Sequence, residues 1–107
     1  MTNVDAALYA RVMRGAREDV YVLATRRGLN LRVLNVEFDV GRGPGPHESH
    51  VLSLSTTEKS VSVEEPNIPH EWLATLGTGY IDTRFVKCAT GLIGRFERKA
   101  VELGIQV

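Results

Sequence analysis

The stretch from Asp82 to Gly104 limits the fold more than any other part of the chain. Wound at about 100° per residue, Thr83–Leu103 places Val86, Cys88, Ala89, Leu92, Ile93, Phe96, Ala100 and Leu103 on one side with Phe85. Lys87, Arg98 and Glu102 fall on the other. That pattern predicts an amphipathic helix whose apolar stripe packs on a sheet or another helix. Asp82 suits the N-cap, because its carboxylate accepts from an orphan backbone N–H at the positive end of the helix dipole. Gly104 can take the left-handed conformation that closes the C-terminus. The remaining elements are read as cover for this stripe.

A second helix is predicted over Val4–Arg26, capped by Asn3 and stopped by Gly28. Leu8, Tyr9, Val12, Met13, Ala16, Val20, Leu23 and Ala24 share one face, opposite Arg11, Arg14, Arg17 and Glu18. Gly15 and the strand-like Val20-Tyr21-Val22-Leu23 leave an alternative, a helix ending near Gly15 and then a strand over Asp19–Thr25. Leu31–Val40 alternates with period two, Leu34, Val36, Phe38 and Val40 on one face. Gly41–Pro46 ends it. Val51–Ser55 and Lys59–Glu64 read as a hairpin turning near Thr56-Thr57-Glu58, with Leu52, Leu54, Val61 and Val63 inward and serines on the wet face. Pro66-Asn67-Ile68-Pro69 is read as a sheet breaker, followed by a short helix over His70–Leu76 that starts at Pro69 and ends at Gly77.

The predicted order is therefore α-β-β-β-α(short)-α. Short connections favour an antiparallel meander, so the expected class is α+β, with a three-stranded antiparallel sheet packed under two long helices. At 107 residues the chain, read as one globular domain over residues 1–107, can bury a core without staples. Its single cysteine, Cys88, permits no intrachain disulfide and reads as a small core residue on the helix stripe. No apolar run is long enough to span a membrane, and no secretory pattern opens the chain. The default setting is reducing and cytoplasmic, with an unmarked secretion route left open.

Thirteen basic residues balance thirteen acidic ones, so whole-chain charge argues for no particular partner. Arg11, Arg14 and Arg17 could meet phosphates, but no aromatic residues interleave them for base stacking. Arg42 lies in the Gly41–Pro46 loop, where backbone N–H groups could cradle an anion, although two prolines there have none to offer. His47 and His50, with Glu48 between, carry metal-ligating atoms, and His70-Glu71 could supply more. Strand side chains three apart face opposite ways, so neither a metal nor a cofactor is assigned.

The element order resembles the double-stranded RNA-binding domain, and Gly45-Pro46-His47 resembles that family's Gly-Pro-x-His turn. The resemblance implies that the first helix and this loop reach two minor grooves. The family's turn has an extra residue before its histidine, and its last helix opens on a phosphate-gripping lysine cluster. Here that position reads Asp82-Thr83-Arg84-Phe85-Val86-Lys87, and the short helix is an insertion. The likeness covers topology and three residues, and no family is assigned on it.

Tyr80, Asp82, His70 and Glu71 converge near the turn into the last helix without a nucleophile–base spacing, so no catalytic residue is assigned. Gly91 and Gly94 lie away from the apolar stripe, where two small residues invite the first helix or a second subunit to approach. The favoured reading is a non-catalytic protein-interaction module, self-associating as a homodimer or holding another protein partner. The alternative is nucleic-acid or anion binding through Arg11, Arg14, Arg17 and Arg42. A third reading is a small enzyme around His70, Glu71 and Tyr80.

Overall fold

A computed structural model describes residues 3–43, 45–73 and 82–107. Helix α1 (Asn3–Arg26) leads through a single 3-10 turn (Leu31–Val33) into β1 (Leu34–Phe38), β2 (Ser49–Thr56) and β3 (Ser62–Pro69). A second 3-10 turn (His70–Trp72) follows, and α2 (Thr83–Leu103) closes the chain. The strands form an antiparallel meander with β2 in the centre. Both helices pack together; α1 also lies on β1, and α2 lies on β3 and β2. This is the α+β architecture expected from the sequence.

The last helix sits where its pattern put it. Phe85, Ala89, Leu92, Ile93, Phe96 and Ala100 are buried, Asp82 accepts from the Arg84 N–H at 2.8 Å, and Gly104 turns the chain at φ 70°. Val86 and Cys88 are half-buried, and Leu103 is exposed where the stripe runs past the sheet. The first helix runs unbroken through Asp19–Thr25. Val20 and Ala24 continue the inward row of Val12 and Ala16, so tertiary burial outweighs the local strand preference. Leu8, expected inward, is exposed one turn beyond the covered part of the helix.

Four strand expectations change. The first strand begins at Leu34 rather than Leu31, because Asn30 caps a 3-10 turn by accepting from the Arg32 N–H at 3.0 Å. It ends at Phe38, since Asp39 adopts a left-handed φ of 58° and steers Val40 into solvent. The hairpin turn reaches Val61: Thr56 Oγ1 accepts from the N–H groups of Ser60 and Val61, and Lys59 is left-handed. Most consequential, Pro66-Asn67-Ile68-Pro69 does not break the sheet. The strand passes through it by a bulge, with Asn67 at φ 63°. Of the predicted short helix over His70–Leu76, residues 70–73 are described: they form the 3-10 turn His70–Trp72 capped by Leu73, and Pro69 precedes it as an extended residue.

Candidate functional site

The bulge decides which side chains meet. In the register Leu54↔Val63 and Leu52↔Glu65, position 70 would fall on the sheet face away from the helices. One extra residue at Pro66-Asn67 shifts the pairing to His50↔Ile68, and His70 then lands on the face that carries His50. The His70 N–H donates to Glu48 O at 2.8 Å, extending the ladder one step beyond Ser49↔Pro69.

His50 is fully buried on the core face of β2. Both ring nitrogens have partners. Nδ1 lies 2.6 Å from Asp39 Oδ2, and Nε2 lies 2.8 Å from Nδ1 of His70. Asp39 reaches inward because its left-handed backbone peels off the end of β1. Its Oδ1 accepts from the Val51 N–H at 2.9 Å and from Arg42 Nη1 at 2.8 Å. Burial works against the Asp39 charge, but the bonds from His50, Val51 and Arg42 together hold the carboxyl below its ordinary range. The Phe38 ring stands edge-on to His50, with centroids 6.2 Å apart.

Tyr9 of α1 completes the assembly. Its ring stacks on His70 with centroids 4.9 Å apart and planes 17° apart, and its hydroxyl oxygen accepts from the His47 N–H at 3.1 Å. A Cβ at Gly45 would stand 2.8 Å from Tyr9 Oη, so any other residue here requires the ring or the loop to shift. Beside Tyr9 and His70 opens a hollow of about 590 Å³, lined also by Pro46, His47, Glu48, Pro69 and Glu71.

The protonation pattern follows from donor chemistry. An ionised carboxylate only accepts, so the Asp39–His50 proton sits on His50 Nδ1. One proton lies between His50 Nε2 and His70 Nδ1, and whichever ring donates it sets the tautomer of His70. Burial, aided by the charge that His50 can carry, holds His70 below the ordinary histidine value, so it is neutral at neutral pH. The three residues form a hydrogen-bonded chain from the Asp39 carboxylate through buried His50 to His70, a residue that lines the hollow.

The predicted residues are distributed differently from the sequence expectation. His50 and His70 meet, whereas His47 is held by its own loop, with Nε2 at 2.8 Å from Gly43 O. His47 precedes β2, so strand alternation does not govern the His47–His50 pair, whose ring centroids lie 6.3 Å apart. Arg42 bonds Asp39 and Ser49 O within its loop. Arg17 Nε donates to Val36 O at 2.7 Å on the outer edge of β1, while Arg11 and Arg14 are exposed. Gly91 and Gly94 face outward on α2: among the described residues, apart from the helix's own backbone and chain neighbours, nothing lies within 4 Å of a Cβ built at Gly91, and at Gly94 the nearest is Arg98 of the same helix, so α1 is not what approaches them. Tyr80 lies outside the described residues. Asp39 is the site residue that sequence reasoning missed, because it reads as one more polar position in an alternating strand. The usable signal was Pro66-Asn67, a proline beside a residue that tolerates positive φ.

No protein-family model, no curated protein and no solved structure matches the chain.

Proposed function

We propose that the protein binds a small organic molecule in the hollow beside Tyr9 and His70 and exchanges a proton with it through His70. The observation that carries this reading is the Asp39–His50–His70 chain, which joins a buried carboxylate to an imidazole at the wall of a cavity. His70 is the acid–base group, His50 holds its tautomer and accepts the relayed proton, and Asp39 stabilises the charge on His50. The described lining residues include no serine, cysteine or lysine, which favours proton transfer over attack by such a nucleophile. The reading develops the third sequence expectation, a small enzyme around His70, Glu71 and Tyr80.

The test is imidazole titration by nitrogen-detected NMR in the wild type, Asp39→Asn and His50→Gln, with a fragment screen on the same sample. Supporting results are a His70 midpoint that moves in both variants and fragment hits that shift Tyr9 and His70 resonances. A His70 that titrates identically in all three proteins sinks the relay.

A second reading keeps the interaction module. Gly91 and Gly94 share the outward face of α2 with Val101, whose side chain is 79% exposed. Solution mass by light scattering tests it: a dimer that Gly91→Glu dissociates supports the module, and a monomer at every concentration removes it.

A further inference from the structure

We infer that the hollow beside His70 selects cationic ligands, an amine carried on a flat or apolar body. This rests on the reading that the hollow is a binding site. Its apolar surface comes from the Tyr9 ring and from Pro46 and Pro69, and its charge comes from Glu48 and Glu71. No lysine or arginine is among its described lining residues. The nearby cations are already matched. Arg42 is bound to Asp39, and Arg84 is bound to Asp82 at 2.7 Å while lying over the Trp72 ring. With those two pairs cancelling, the charges of Glu48 and Glu71 remain in excess, Glu71 also feeling the Arg84 charge, and both residues are exposed. Residues 74–81 contain no Asp, Glu, Lys or Arg, so that stretch changes the charge balance by nothing.

The chemistry agrees with the charge. A ligand ammonium meets the carboxylates of Glu48 and Glu71 beside the Tyr9 ring, an aromatic wall that suits a cation. A carboxylate ligand would meet like charge.

Phenethylamine, 2-phenylethanol and 3-phenylpropionate share a ring and differ in charge, so NMR titration with each at neutral pH and low salt separates the outcomes. The expected result is amine binding about five- to tenfold tighter than the alcohol, mapped to Tyr9 and His70, with the acid weakest. In the Glu48→Gln/Glu71→Gln variant the amine's advantage should fall below about twofold, since the charges are gone while the walls remain. Equal binding of amine and alcohol overturns charge selection while the binding-site reading stands. So does an amine preference that survives the double variant. Failure of all three probes to shift Tyr9 or His70 overturns both readings.

Discussion

His50 Nε2 and His70 Nδ1 lie 2.8 Å apart although twenty positions separate them in the chain, and they meet because β3 carries one residue more than β2 between the pairs Leu52↔Glu65 and His50↔Ile68. A bulge that re-aims a side chain is a common device beside functional sites. Here it moves an imidazole from the open face of the sheet to the covered one, within reach of a buried histidine and of an aromatic ring on the first helix.

Removing Asp39 should cost more than the loss of a single ion pair. Asp39→Ala takes away the acceptor for the buried His50 Nδ1–H, the Val51 N–H and Arg42, and it places alanine at a φ of 58°. A loss of about 2–4 kcal/mol is expected from urea unfolding. Asp39→Asn tolerates the backbone and keeps an amide oxygen for Val51, so about 1–2 kcal/mol is expected. A neutral alanine substitution would show that the carboxylate holds nothing in place.

Stability should decline in two steps as pH falls. The folded value of His70 lies below the ordinary 6.5, so the unfolded chain takes up a proton first. The contribution of His70 is complete above that pH and is lost progressively below it. Asp39 is also depressed, from 3.8, so its contribution is complete above that value and is lost in stronger acid. Denaturant midpoints measured across this range should show the first step in the wild type and a smaller one in His70→Gln.

Gly45→Ala should push the loop off Tyr9. The new methyl would stand 2.8 Å from Oη and 2.9 Å from Cζ, inside contact distance. Overpacking of this kind costs about 1–3 kcal/mol. In a double-mutant cycle with Tyr9→Ala the two effects should be less than additive, because the clash disappears with the ring.

The outer edge of β1 is closed by side chains of α1. The Tyr21 hydroxyl accepts from the Val36 N–H at 3.2 Å and faces Leu34 O at 3.4 Å, beside the Arg17–Val36 bond. Tyr21→Phe should cost about 1 kcal/mol and speed amide exchange at Val36, read by hydrogen-exchange NMR. Unchanged exchange at Val36 would mean that the hydroxyl does not protect the edge.

Gly91→Ala should stabilise the isolated chain. The position is exposed, helical and open, so alanine recovers about 1 kcal/mol of helix propensity without a clash. Thermal unfolding measures it. If Gly91 lies instead at a dimer interface, the same substitution should lower the apparent mass.

The two long helices, the element order and most of the core were legible in the chain alone. Spacing at 3.6 residues, an acidic N-cap at Asp82 and a terminal Gly104 are local properties, and local interactions largely decide where a helix begins, ends and turns its apolar face. Leu34, Val36, Leu52 and Leu54 were equally readable, since alternation has only two phases. The Asp39–His50–His70 assembly was not. His50 read as a candidate ligand beside His47, Asp39 as one more polar position in an alternating strand, and Pro66-Asn67 as the end of the sheet. Each of those readings turns on where one strand stands against another, and a single extra residue reverses every side chain beyond it. Register is settled by pairing between distant segments, so the sequence by itself determined the elements and their apolar faces, whereas only the tertiary structure decided that Asp39, His50, His70 and Tyr9 share one site.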